Sequence, residues 1–179
     1  MPKHCASYLM AVLTFMSLTW NAPVFADTNK EYQLKAAYML NFARFIYWPD
    51  DAFSTTLENF NICVFGENPF GNSLDRLSSK KIHNKTIKII YTKTLQEAES
   101  CHIVYFSKTE ETTYEQTINQ LPQFIKLTVS DIKGFSERGG MIEFIRVKNK
   151  IKFEINVDQS AKSGIKYRSQ LLEVAEQLR

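Results

Sequence analysis

The alternation of apolar and polar positions is clearest in the second half of the chain, where it predicts three strands. Apolar and polar residues alternate from Ile151 to Val157, a period of two that is typical of a half-buried strand. The run Phe124 to Val129 is rich in β-branched and aromatic residues, and Met141 to Val147 is nearly all apolar. Because only Lys148 to Lys150 separates the last two runs, we expect an antiparallel hairpin with Asn149 at positive φ.

A helical pattern occupies residues 28 to 47, where apolar side chains recur at every third or fourth position. The segment Thr28 to Glu31 has the spacing of a capping box, which predicts the start of the helix, and Pro49 predicts its end. Lys35 is a polar residue of this helix, and we expect it on the solvated face.

Further strands and helices alternate along the chain. Buried strands are predicted at Phe60 to Phe65, Thr86 to Tyr91 and Cys101 to Phe106. Helical segments are predicted at residues 72–77, 95–99, 109–121, 158–164 and 169–178. This alternation is typical of α/β proteins. The sequence therefore predicts a single α/β domain of the Rossmann or flavodoxin-like type, with a mainly parallel sheet flanked by helices, a C-terminal antiparallel β-hairpin and a final helix.

The first 26 residues have the pattern of a secretory signal peptide. A weakly basic start precedes the short apolar run Tyr8 to Leu18, and small residues before Asp27 predict cleavage after Ala26. An uncleaved membrane anchor is the alternative, but the apolar run is short for a span. We therefore expect a mature domain of residues 27–179 that is exported and is not inserted in the membrane.

Charge and cysteine content narrow the class of protein further. The 179 residues carry a formal charge of +3 without a clustered basic stripe, so we expect no nucleic-acid partner. Signal cleavage leaves Cys63 and Cys101, each in a strand-like run, and an oxidising compartment favours a disulfide between them. Two buried free thiols are the alternative.

The segment Ser130 to Gly140, called the glycine loop below, is the first place to look for function. Loops mounted on a rigid sheet often carry binding residues, and this one contains Gly134, Gly139 and Gly140. Its polar residues are candidates for a partner or ligand surface: Ser130, Asp131, Glu137 and Arg138.

Enzymatic chemistry finds little support in the sequence. No metal-binding motif, nucleophile elbow or phosphate-binding glycine motif is present, so we predict a protein without catalytic residues, metal or cofactor. A thiol-dependent enzyme built on Cys101 and His102 is a further hypothesis, which the wide cysteine spacing disfavours.

Several short motifs, in order and spacing, resemble the exported YfiR-like family over about Glu31 to Leu178. The segments that carry the resemblance are Lys35-Ala36-Ala37-Tyr38, Asn41-Phe42, Trp48-Pro49, Pro69-Phe70-Gly71, Cys101-His102-Ile103, Thr128-Val129-Ser130-Asp131, Gly134-Phe135, Gly139-Gly140-Met141-Ile142, Phe153-Glu154-Ile155-Asn156 and Ala161 with Gly164.

The resemblance implies a periplasmic regulator that is not an enzyme. Such a protein binds and restrains the periplasmic sensory domain of an inner-membrane diguanylate cyclase, which lowers cyclic di-GMP signalling and biofilm formation. It also implies a homodimer and a structural disulfide. The alternative function is a periplasmic sensor of a nucleotide-like or amino-acid ligand, with Arg138, Lys166 and Arg168 as cationic donors.

Overall fold

A computed structural model of the chain describes residues 25–53, 58–121 and 127–179. The predicted signal peptide lies outside these residues except for its last two positions, and the start of the predicted strand Phe124 to Val129 also lies outside them. The helices are α1 Phe25–Arg44, α2 Leu95–Ala98, α3 Tyr114–Asn119, α4 Val157–Lys162 and α5 Ser169–Leu172. The strands are β1 Ile46–Tyr47, β2 Asn59–Phe65, β3 Lys81–Ile82, β4 Lys85–Thr92, β5 Ile103–Phe106, β6 Leu127–Ser130, β7 Ile142–Val147, β8 Lys150–Ile155, β9 Lys166–Tyr167 and β10 Gln177–Leu178.

The main sheet has eight strands in the order β10-β8-β7-β6-β5-β2-β4-β3. The pairs from β4 across to β7 are all parallel, and β8 returns antiparallel to β7. Strands β1 and β9 form a separate antiparallel ribbon. The predicted fold class, an α/β domain with a mainly parallel sheet and a C-terminal hairpin, is thus confirmed.

Both faces of the sheet are covered, which explains why its central strands β2, β5 and β6 are buried along nearly their whole length. On one face, Phe42 of α1 packs against Phe144 of β7 and Phe153 of β8, within a large apolar cluster that also includes Met39, Ile62 and Tyr105. The other face carries a smaller cluster formed with α3 and the glycine loop, whose buried members are Cys63, Phe65, Ala98, Cys101, Val104, Phe106, Tyr114, Ile132 and Phe135. Successive strand residues therefore serve opposite layers.

The β7–β8 hairpin turns at the predicted position. Lys148 and Asn149 have φ values of 46° and 62°. Two consecutive residues at positive φ are typical of the tight turns that suit the right-handed twist of the flanking strands. The expectation for Asn149 is confirmed, and Lys148 shares its conformation.

Two predicted helix boundaries differ from the structure. Helix α1 already includes Phe25, so Thr28 lies inside the helix and its side chain is not a cap. At the other end of the chain, α5 is a single turn, and Gln177–Leu178 pairs in parallel with Glu154 and Ile155 of β8. Edge pairing takes precedence there over helix propensity because β8 would otherwise leave backbone groups unpaired.

Within the described ranges, none of the helices is at once long and apolar enough to cross a bilayer.

Candidate functional site

The carboxyl ends of the parallel strands meet the first turns of α1 at a cleft of about 400 Å³. This is the edge where α/β sheets usually bind ligands or partners, because loops from neighbouring strands converge there. We call it the Asp131 cleft, after the residue that follows β6. Its lining residues are Glu31, Lys35, Lys108, Asp131, Lys133, Glu143, Phe144, Ile145, Arg146 and Ile151.

Asp131 is the centre of a buried polar network at the base of the cleft. Its Oδ1 accepts a hydrogen bond of 2.6 Å from the Tyr105 hydroxyl, and its Oδ2 accepts one of 3.0 Å from the Tyr32 hydroxyl. The Lys35 ammonium lies 2.5 Å from Oδ2 and is also 2.6 Å from the Glu31 carboxylate. Glu31 in turn pairs with Arg146 on β7. The network therefore joins α1 to three strands of the sheet.

The charges in this network are fixed by its contacts. Burial alone would raise the pKa of Asp131, but the ammonium of Lys35 and the hydrogen bonds it receives lower that pKa below its usual value. Burial, and then the neighbouring Asp131 charge, raise the pKa of Tyr105 well above its usual value. Asp131 is therefore an anion and Tyr105 a neutral donor across the physiological range.

Lys35 is the residue that the sequence reasoning placed incorrectly. It is 1% exposed, although a solvated position was predicted for it. The signal was present in the helix pattern, because residues 35, 39 and 42 follow the spacing of one buried face. A lysine on that face requires a buried counter-ion, and Asp131 provides it from a point 96 residues later in the chain.

The glycine loop is a tight crossover between the parallel strands β6 and β7. Glu143 anchors it, because the carboxylate accepts hydrogen bonds from the Gly134 and Ser136 amides and from the Ser136 hydroxyl at 2.8, 3.0 and 3.0 Å. A Cβ atom on Gly140 would lie 2.1 Å from the ring of Phe135, so the backbone approaches that ring more closely than any side chain permits. The loop is consequently a packed part of the fold.

The structure brings the four loop candidates to the same end of the sheet but gives them different environments. Ser130 is fully buried, and its hydroxyl donates to the Phe106 carbonyl. Asp131 forms the network described above. Glu137 is exposed beside Arg179 at 3.1 Å, and Arg138 pairs with Glu115 at 2.9 Å. Only Asp131 among them lines the Asp131 cleft.

Lys166 and Arg168 lie near the opposite end of α1. Lys166 belongs to β9, which pairs with β1 directly after α1, and the Arg168 amide donates to the Phe45 carbonyl. The Arg168 guanidinium sits 4.4 Å from the centre of the Tyr47 ring. Since α1 rises about 20 Å between Tyr32 and Phe45, these two cations are distant from the Asp131 cleft. The cations named for a ligand sensor are therefore not gathered at one place.

Cys63 and Cys101 form a disulfide between β2 and the residues that lead into the neighbouring strand β5, with Cα atoms 5.9 Å apart. Both residues are buried in the smaller apolar cluster. His102, next to Cys101, accepts a 3.0 Å hydrogen bond from the Asn61 amide at Nδ1 and stacks on Phe60. These contacts give Cys101 and His102 structural roles.

His102 predicts a pH dependence of stability. Burial first, and Lys85 in addition, lower its pKa to about 4, although a backbone hydrogen bond to Ala52 opposes the shift. An unfolded histidine titrates near 6.5, so the stabilisation is complete above pH 6.5 and is lost as pH falls towards 4. We expect the free energy of unfolding to fall by about 3 kcal/mol over that interval.

Urea unfolding at a series of pH values measures this effect. The variant His102→Gln keeps an acceptor for the Asn61 amide but cannot be protonated. A plot of its free energy of unfolding against pH should therefore be less steep between pH 6.5 and 4, by the equivalent of about one bound proton. The variant His83→Gln, at an exposed histidine, is the control for replacing a histidine by glutamine. Equal slopes in wild type and His102→Gln would contradict the prediction.

Residues 25–53, 58–121 and 127–179 contain no group of three or more His, Cys, Asp or Glu side chains placed to hold a metal ion.

The fold and its cleft define an α/β domain with a polar site at the carboxyl ends of its parallel strands. The chain belongs to the YfiR/HmsC-like family, whose profile matches residues 32–176. This is a family of periplasmic regulatory proteins rather than of known enzymes. A search among curated protein sequences returned no match.

Two solved structures resemble the fold at low sequence identity. One, from Vibrio cholerae O1 biovar El Tor, is described as a conserved domain protein; it has a TM-score of 0.52 and 11% identity, over 83% of this chain and 60% of that one. The other is described as the ABC domain in complex with L-Trp from Streptococcus pneumonia, with a TM-score of 0.50 and 10% identity over 68% of this chain and 55% of that one. The chain thus matches little more than half of each structure, and the likeness concerns the fold alone.

Proposed function

We propose that this protein is a periplasmic regulator that binds the periplasmic sensory domain of an inner-membrane diguanylate cyclase and restrains the cyclase. The observation that carries the proposal is membership of the YfiR/HmsC-like family over residues 32–176. Lower cyclic di-GMP and weaker biofilm formation would follow from the restraint. The proposal includes export through the signal peptide, with cleavage after Ala26, and a mature domain of residues 27–179.

The proposed mechanism is a population shift in the partner. A regulator restrains a cyclase only if it binds the inactive form of the sensory domain more tightly than the active form. A rigid binding surface favours such discrimination, because little conformational entropy is lost on docking. The Asp131 network and the Cys63–Cys101 disulfide each join separate elements, and they support a rigid surface of this kind.

A direct binding measurement tests the proposal. Mature protein, residues 27–179, is titrated by calorimetry with the periplasmic domain of a diguanylate cyclase encoded beside its gene. We expect a complex with a Kd below about 10 µM. Deleting the regulator gene in cells should raise cyclic di-GMP, and restoring the wild-type gene should reverse the rise. Absence of binding at tens of micromolar, together with unchanged cyclic di-GMP, would refute the proposed function.

The proposal also includes a homodimer of the mature protein. Sedimentation velocity over a range of concentrations measures the oligomeric state. A single monomer species at all concentrations would remove the dimer from the proposal without affecting the partner.

A further inference from the structure

The Asp131 cleft continues into a second depression along the same side of α1. The second depression has a volume of about 420 Å³ and shares Glu31, Arg146 and Ile151 with the Asp131 cleft. Together they form one groove between the exposed side of α1 and the β7–β8 hairpin. We call it the basic groove, for the cations along its rim: Lys30, Lys108, Lys133, Arg146, Lys150 and Lys152.

Positive charge in the chain is concentrated at this groove. Its lining residues include seven lysines or arginines and three carboxylates, a net charge of four, whereas the whole chain carries +3. The remainder of the chain is therefore close to neutral. A local excess of one sign, set against a neutral background, attracts and orients a partner of opposite sign.

The three carboxylates in the groove are already occupied. Asp131 is paired with Lys35, Glu31 with Lys35 and Arg146, and Glu143 with amides of the glycine loop. By contrast, no carboxylate of the described ranges lies within ion-pair distance of Lys30, Lys133 or Lys150. These three lysines are exposed, so their ammonium groups are available to a bound anion.

The floor of the groove is apolar. Phe144 is buried, Tyr38 and Ile151 are half-buried, and Leu34 on α1 is 43% exposed. A free phosphate or a simple anion would leave these side chains uncovered. A floor of this kind, enclosed by a basic rim, complements a polypeptide segment that carries both acidic and apolar side chains.

We infer that the basic groove is the docking site for an acidic segment of the protein partner, with apolar side chains of that segment seated on Leu34, Tyr38 and Ile151. The inference rests on the proposed function for the identity of the partner and adds to it the surface and the chemistry of contact. Carboxylates of the segment pair with Lys30, Lys133 and Lys150, which no internal ion pair occupies.

Charge reversal tests the docking site with a matched control. The groove variant Lys30→Glu/Lys133→Glu/Lys150→Glu changes only exposed side chains without ion pairs among the described residues. The control variant Lys81→Glu/Lys88→Glu/Lys162→Glu makes the same change in net charge at exposed positions outside the groove. Affinity for the cyclase periplasmic domain should fall by about 100-fold or more in the groove variant and by less than about threefold in the control.

The outcomes separate the inference from the proposed function. If wild type binds the cyclase domain and both variants bind alike, the inference is wrong and the proposed function stands. If wild type does not bind that domain, the proposed function fails, and a synthetic amphipathic peptide of glutamate and leucine then decides the inference. Binding of this peptide by wild type and the control variant, but not by the groove variant, supports the basic groove. Equal binding by all three, or by none, overturns it.

A third probe distinguishes a membrane from a protein partner. Vesicles of phosphatidylglycerol present anionic headgroups without apolar side chains that could reach the floor. One result would overturn the assignment to an acidic protein segment: the vesicles bind wild type as tightly as the cyclase domain does, and the groove variant loses both interactions equally. The groove would then recognise negative charge alone.

Discussion

Replacing Asp131 by asparagine should lower the free energy of unfolding by about 3 kcal/mol. The substitution keeps the shape of the side chain but removes the charge that balances Lys35, whose ammonium is buried in the core. Glu31 remains 2.6 Å from that ammonium, so some compensation persists and the loss falls at the lower end of the range for a broken buried pair. Urea unfolding at pH 7 measures the difference.

The control for this prediction is Asp158→Asn, which removes an exposed carboxylate and should cost less than about 1 kcal/mol. In the double variant Lys35→Met/Asp131→Asn the unpaired ammonium is absent, so part of the stability should return. A loss below about 1 kcal/mol in Asp131→Asn would show that the buried pair is not needed for stability.

The same pair predicts how the difference varies with pH. The pKa of Asp131 is lower in the folded protein than in the unfolded chain, so its stabilisation is complete above the unfolded value of about 4. The stabilisation is lost as pH falls through the folded pKa. The difference in free energy of unfolding between wild type and Asp131→Asn should therefore be constant from neutral pH down to about 5, and it should decrease in more acidic solution.

Removing the Cys63–Cys101 disulfide should cost about 3 to 4 kcal/mol. The bridge closes a loop of 38 residues, and its main effect is to reduce the conformational freedom of the unfolded chain. The variant Cys63→Ala/Cys101→Ala places no polar atom in the apolar cluster, although the void left by the two buried sulfur atoms adds to the loss of the crosslink. Binding to the partner should be retained at least in part, because both cysteines lie outside the basic groove.

Reduction supplies the control for the disulfide. Dithiothreitol should lower the urea midpoint of wild type to near that of Cys63→Ala/Cys101→Ala, and it should not change the midpoint of the variant. An unchanged wild-type midpoint after verified reduction would contradict the prediction.

Most of the fold could be predicted from local pattern. The alternation in Ile151 to Val157, the apolar runs around Cys63 and Val104, and the short Lys148–Asn149 turn each reflect backbone and burial constraints that act within a few residues. Their order along the chain was sufficient for an α/β class, because alternation of strands with helices produces a mainly parallel sheet. The family motifs were also visible in the chain itself.

The candidate site depended on contacts between distant parts of the chain. Lys35 and Asp131 are separated by 96 residues, and no local pattern reveals that a lysine on the buried face of α1 will meet a carboxylate after β6. The basic groove likewise combines Lys30, Lys133 and Lys150 from three elements. Chain folding places these charges together because the carboxyl ends of parallel strands share one edge with the start of α1, and a low-polarity interior requires every buried charge to have a partner.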